Sequence, residues 1–370
     1  MKKNKKYLLI LIFIGSFFVA CEDSKEEEIE QSFDRSLVLL NWSDNIITPA
    51  YEAFQEKLNA LKTSVDKFKA DVTQQNLDLV RSEWINAYKS WQHVEMFNIG
   101  KAEEIYYSSK MNVYPANISR IKSNIDSEQY DLNNANNNSA QGFPALDYLL
   151  YGGISDGSKV IDRFLSQDGN KYLSYLENCV NKMISFTKTV VDDWQANKSG
   201  FVNSTDNTAT SSINMLTNDF IYYYEKGFRA NKLGIPAGIF SSKIIPENIE
   251  GYYNGKISKA LTLEALNAVH NFFVGKSFDK SQTKESFKYI LKTLDTKKGE
   301  ENLGEVIESK LLEAKSKIED LDENFSNQIN SDKVKFLDTY DAIQKVVVLL
   351  KVDMLQALNI NVDYTDADGD

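Results

Sequence analysis

Apolar residues that recur every three to four positions, over long stretches holding neither proline nor glycine, constrain this chain more than any other feature. In the first stretch Leu37, Leu40, Ile47, Tyr51, Phe54, Leu58 and Leu61 keep helical spacing, with Pro49 bending the rod or marking a new start. A second helix is expected from about Leu77 to Ile99. There Trp84, Ala87, Tyr88, Trp91 and Glu95 fall at steps of three and four, so Glu95 shares a face with two large aromatics. A third pattern runs from Lys171 to Gln195 through Tyr172, Leu176, Cys179, Val180 and Met183. With 5 prolines and 17 glycines in 370 residues, the frequent turns of a sheet protein are missing, and an all-α fold follows.

The length admits two ordinary domains or one large one, and 42% hydrophobic residues can fill a sizeable core. "ANKSGFVNSTDNTAT", residues 196–210, is the clearest candidate hinge. It divides the body into an N-terminal helical bundle, 33–195, and a C-terminal one, 211–370. After the hinge come the aromatic helix "NDFIYYYEKGFRANKLGIPAG", a loop with Pro246, and helices over roughly 259–274, 280–294, 303–328 and 333–358. "SWQHVEMFNIGKAEE" and "EKGFRANKLGIPAG" echo each other weakly, as a distant duplication of bundles would. The segment "SNIDSEQYDLNNANNNSAQ" is too rich in asparagine to be helical throughout and reads as a loop.

The first twenty residues carry four lysines and then an apolar run ending at Cys21. This is the pattern of a signal peptide, residues 1–20, not of a structural helix. "FVAC" resembles a bacterial lipobox, which makes Cys21 the lipidated N-terminus of the mature chain. Residues 21–32 then form an acidic tether, similar to surface-export signals in lipoproteins of the Bacteroidetes type. Removal of residues 1–20 takes four positive charges from a net charge of −11 and leaves −15. So acidic a protein is a poor partner for nucleic acid. With Cys21 lipidated, Cys179 has no cysteine to pair with and reads as a small buried hydrophobe.

"GFPALDYLLYGG", residues 142–153, sets a single carboxylate, Asp147, among apolar and aromatic side chains. Pro144 and the Gly152–Gly153 pair read as the start and stop of a short helix on which Phe143, Leu146, Asp147 and Leu150 share a face. Buried there, Asp147 needs a donor, a cation or a proton.

Several chemistries lack support. The two histidines, His93 and His270, are far apart and outside any HExxH pattern, which excludes a typical zinc-peptidase site. "GKS" at Gly275–Ser277 lacks the upstream glycine of a phosphate-binding loop, and the terminal "DADGD" misplaces the glycine of a calcium loop.

"WINAYKSWQHVE" at 84–95, "GFPALDYLLYGG" at 142–153, "NKLGIPAG" at 231–238, "ENIEGYYNGKIS" at 247–258 and the C-terminal "LLKVDMLQALNINVDYTDADGD" together resemble the imelysin family of bacterial cell-envelope proteins. The resemblance spans roughly residues 33–370. It implies two helical bundles packed together with a pocket near their interface, and the 142–153 segment beside it. The family hallmark GxHxxE here reads Gly142, Pro144 and Asp147, with proline in place of histidine. In the family form an imidazole and a carboxylate on one helix face can share a metal or a proton; Pro144 can do neither.

No complete catalytic set and no metal site are therefore expected. The leading reading is a ligand-binding or accessory lipoprotein linked to iron or haem uptake, anchored to the membrane through Cys21 and acting with envelope uptake partners. Its ligand-binding residues are expected to be Gly142, Phe143, Pro144 and Asp147 from the motif, with Trp91, Glu95, Lys232 and Tyr252 from neighbouring segments. The alternatives are a metallopeptidase of the imelysin type and a scaffold that docks a partner protein.

The lipid anchor is open to a direct test. Radiolabelled palmitate should enter the wild type and not Cys21→Ala; equal labelling of the two would rule it out.

Overall fold

A computed structural model describes residues 33–153, 158–241 and 243–364. The signal peptide, Cys21, the tether and the terminal "DADGD" lie outside the described residues. The described body is all-α apart from a two-residue hairpin, Lys297–Lys298 with Glu301–Asn302. Residues Ser32–Asp370 form one compact unit.

The first rod starts at Asp34, whose side chain accepts from the N–H groups of Ser36 and Leu37 and so caps the Arg35–Leu40 helix. It widens into π-helical turns over Asn41–Ile47 before continuing as the helix Thr48–Ala70. Pro49, in the first turn of that helix, has no N–H and crowds the preceding turn, and the wide turns give its ring room. Proline marks a change of winding here and does not end the rod.

After the short connection Asp71–Thr73, the helix Gln74–Trp91 packs back on Thr48–Ala70, and the long helix Gly169–Asn203 lies against the same rod. Trp84, Ala87, Tyr88 and Trp91 are all buried, as their spacing requires. The helix stops at Trp91, however, and does not reach Ile99. Residues 92–96 turn so that the Gln92 side chain points inward; Glu95 belongs to these turns and not to the helix face.

Two further expectations change. The asparagine-rich segment is partly ordered helix: Ile118–Ser127 ends inside it and 3-10 turns follow over Ala135–Ala140. Its asparagines serve as partners, since Asn124 Nδ2 donates to Asn137 Oδ1 and to the Tyr175 hydroxyl inside the fold. Residues 196–203, placed in the hinge, are the last two turns of Gly169–Asn203, where Trp194 and Phe201 pack edge to face. The break in regular structure is confined to residues 204–211.

In the second half Ser212–Tyr222 runs into a twelve-residue π-helical segment, Tyr223–Gly234. The helices Ser258–Val274, Leu303–Glu319 and Lys333–Val348 pack together beside it. Asn324 caps a separate short helix, Phe325–Ser331, which breaks the expected 303–328 rod. The N-terminal rod reaches across into this half. Trp42 sets its ring, tilted, with its centroid 4.9 Å from those of both Phe272 and Phe287 and donates to Ser286 Oγ, while Asn41 Nδ2 donates to the carbonyls of Gly275 and Glu285. A buried aromatic of this kind stabilises by about 3–5 kcal/mol relative to alanine, so the halves share a core.

The Gly142–Tyr151 helix is buried along nearly its whole length. Gly142 sits at φ +70°, and a Cβ there would lie 2.2 Å from the Met111 carbonyl oxygen; only glycine fits. Asp147 answers its need for donors with backbone. Its Oδ2 accepts from the Tyr253 N–H at 2.8 Å and its Oδ1 from the Asn254 N–H at 2.9 Å. Burial outweighs the two backbone donors, which pull the other way, and leaves the carboxyl pushed up to about 7. Asp147 thus clamps the turn that follows Glu250.

Asp147→Asn keeps the shape but turns an amide NH2 toward one of the two N–H donors. At pH 6 it should lower unfolding free energy by about 1–3 kcal/mol in denaturant titration. An unchanged midpoint would show that the clamp does not hold this turn.

Candidate functional site

The turns after Trp91, the end of the Tyr107–Met111 helix at Asn112, the π-helical segment and the Glu250 turn converge on one buried polar cluster. At its centre is Lys232, 2% exposed. Its Nζ donates to Glu250 Oε2 at 2.6 Å and to Gln92 Oε1 at 2.8 Å, and lies 3.7 Å from Glu95 Oε2. Glu250 Oε1 in turn accepts from Gln92 Nε2 at 3.0 Å and Asn112 Nδ2 at 2.8 Å. Asn112 Nδ2 also donates to Glu95 Oε1, Tyr223 donates its hydroxyl to Glu95 Oε2, and the Tyr88 hydroxyl donates to Asn112 Oδ1. Each member takes part in a hydrogen bond or ion pair, as a buried charged network must.

Two carboxylates share one ammonium here. Burial raises the Glu95 carboxyl above its ordinary range; Lys232 opposes that rise and Glu250 adds to it. Beside Glu95 the buried Trp91 indole N–H has no hydrogen-bond partner of good geometry.

Above this floor opens a cavity of about 520 Å³. Glu95, Asn112, Tyr114 and Tyr223 form its inner wall, and Asp219 and Lys226 come from the helix that runs through it. Glu103 and Tyr106 also line it. The π-helical winding presents Tyr223, Gly227 and Asn231 to the cavity while Lys232 faces the floor. On the other side of the same segment the buried Glu225 holds Lys226 at 3.0 Å, Lys351 at 3.2 Å and the Tyr364 hydroxyl at 3.1 Å. The segment is therefore fixed by charge on both faces.

The Asp219 side-chain carboxyl accepts no hydrogen bond and makes no ion pair among the described residues. Burial pushes its carboxyl up to about 8, with Glu103 and then Asp363 adding to the shift. Tyr51 packs within electrostatic reach, and Tyr222 and Lys226 flank it on its own helix.

The sequence-derived site residues separate into two groups. Glu95 and Lys232 come together on the cavity floor, and Trp91 lies buried beside them. Gly142, Phe143, Pro144, Asp147 and Tyr252 do not line the cavity. Phe143 stacks flat on Tyr88 in the core with centroids 4.3 Å apart, Pro144 is buried in the same helix, and Tyr252 is exposed against the Tyr253 ring. The Pro144 side chain offers no ligating atom and both Asp147 carboxyl oxygens are engaged, so the motif side chains do not fit a metal. Among the described residues no three His, Cys, Asp or Glu side chains are grouped to hold one. His93 and His270 pair instead with Glu264 and Glu308. Cys179 is buried and its thiol is pushed up to about 12 by burial.

Gln92, Glu103, Asn112, Asp219, Tyr223 and Glu250 escaped the sequence reading. Gln92 and Glu250 lie within the segments "WINAYKSWQHVE" and "ENIEGYYNGKIS", which was the available signal; Asn112 and Asp219 carried none.

Asp219 generates a pH prediction. A folded-state pKa above the unfolded value favours the folded state while the carboxyl is protonated, and that contribution is lost as pH rises through about 8. Asp219→Asn should melt with the wild type near pH 4 and above it at pH 9, as differential scanning calorimetry can read. Coincident melting at pH 9 would contradict the strained carboxylate.

The fold recurs in solved structures. An imelysin-like protein from Psychrobacter arcticum 273-4 matches at TM-score 0.67 and 16% identity, covering 89% of this chain and 97% of its own. A protein of Parabacteroides distasonis ATCC 8503, described as a "putative iron-regulated protein A precursor", matches at TM-score 0.69 and 16% identity, covering 86% and 94%. No curated protein matches. The family model described as Imelysin matches residues 47–352, which span both halves and every residue of the buried cluster, and the chain belongs to the imelysin family.

Proposed function

We propose that this chain is a non-catalytic, ligand-binding lipoprotein of the cell envelope, linked to iron or haem uptake and held at the membrane by lipid on Cys21. The observation that carries the reading is the 520 Å³ cavity over a fully bonded polar floor, a size suited to a small molecule. A floor fixed in advance by Lys232, Glu250, Gln92 and Asn112 orients a ligand without having to reorganise. The iron link is supported by the description of the Parabacteroides distasonis relative and by the family resemblance. The motif supports binding over catalysis, since Pro144 replaces the imidazole and Asp147 is spent on backbone. Among the described residues no helix is long and apolar enough to cross a membrane, which is compatible with attachment by lipid. Outer-membrane placement and surface exposure rest on the acidic run after Cys21.

The test is calorimetric titration of the metal-free protein with haem and with ferric citrate, alongside Ser109→Trp, which fills the cavity from its wall. Binding of either probe is expected, weakened more than tenfold in Ser109→Trp. Binding that ignores Ser109→Trp would place the ligand elsewhere. Zinc-dependent cleavage of a protein substrate by the wild type would restore the metallopeptidase.

A further inference from the structure

We propose that the cavity selects an organic cation, a small molecule carrying primary ammonium groups, which Asp219 and Glu103 would neutralise and the cavity tyrosines would flank. This inference rests on the reading of the cavity as a ligand site and names the class of ligand.

The charges of the wall are unbalanced. Lys226 is the only cationic side chain among the lining residues, and its ammonium lies 3.0 Å from the buried Glu225. Lys232 below is engaged by Glu250 and Gln92. Neither is available to Asp219 or Glu103, and no hydrogen bond or ion pair satisfies either carboxylate among the described residues. Burial and the neighbouring Glu103 carboxylate keep Asp219 protonated up to about pH 8, and a cation entering the cavity beside them favours the ionised form of both.

The remaining lining argues for an organic cation over a bare ion. Tyr106, Tyr114, Tyr222 and Tyr223 bring four aromatic rings to the wall. Ring faces attract ammonium groups, by about 0.5–2 kcal/mol each. The Tyr114 hydroxyl makes no hydrogen bond among the described residues and can accept from an N–H of the ligand. About 520 Å³ is far more than one ion fills, and no three metal-ligating side chains are grouped there. Tyr106 stands 73% exposed at the rim with φ +53°, where its ring can meet an entering ligand.

Calorimetric titration of the full-length protein with spermidine, against fully N-acetylated spermidine, tests the class. Spermidine should bind and the acetylated form should bind at least tenfold more weakly. Asp219→Asn and Glu103→Gln should each weaken spermidine at least fivefold, and the affinity should fall as salt rises. Glu103 is exposed, so Glu103→Gln leaves the fold intact and circular dichroism confirms it. Equal binding of the two forms, failure of spermidine to bind, or indifference to both substitutions would overturn the inference. If haem or ferric citrate is then still blocked by Ser109→Trp, the cavity remains a ligand site of another class; if no probe responds to that variant, the cavity reading falls as well.

Discussion

The Lys232 ammonium is the charge on which the arrangement of this protein turns. It is buried at a point reached by four segments far apart in sequence, and without partners it would carry a desolvation penalty of several kcal/mol. Glu250 and Gln92 supply acceptors at 2.6 and 2.8 Å, and Glu95 supplies a second carboxylate at 3.7 Å. Such a network tolerates little displacement, because a shift that breaks one bond strands a buried charge. The converging segments are thereby held in one relative placement, and the cavity above them inherits that rigidity.

A rigid floor also explains the winding of the helix that passes through it. Lys232 must face the floor while Tyr223, Gly227 and Asn231 face the cavity and Glu225 reaches Lys351 and Tyr364 on the far side. Ordinary α-helical winding returns the same face every three to four residues. The π-helical turns of Tyr223–Gly234 shift that phase, and wide turns over Leu349–Met354 carry Lys351 to meet it. Helical pairs with i→i+5 bonding are uncommon and recur at functional sites. Here the two wide segments are joined through Glu225, so each fixes the winding of the other.

Fold class was legible in the sequence because burial follows period. Trp84, Tyr88 and Trp91, or Leu176, Cys179 and Met183, all lie inside as their spacing demands. Where a helix stops was less legible, since Gln92 leaves the helix for a hydrogen bond to Glu250, 158 residues away, and no local rule encodes that partner. The same limit hid the asparagines. Asn124 and Asn112 look like loop formers by propensity, yet each is buried as a donor to distant groups. Glu95 and Lys232 could be singled out as charges among aromatics, but their meeting is a tertiary fact. Asp219 and Glu103 gave no signal because an unpaired carboxylate becomes unusual only once its surroundings are known.

The degenerate motif takes its meaning from this geometry. Gly142 is required by a close approach of its backbone to the Met111 carbonyl, which lies one residue before Asn112 of the buried cluster. Asp147 clamps the N–H groups of Tyr253 and Asn254, three and four residues after Glu250. The motif's glycine and the aspartate that stands for its glutamate thus act on segments that deliver polar side chains to Lys232, and neither touches the cavity. Histidine has no counterpart in that task. Proline in the first turn of a buried helix satisfies the backbone without adding a polar group that would need a partner. In this chain the segment therefore acts as a buttress, and under the proposed function recognition falls to the side chains that line the cavity.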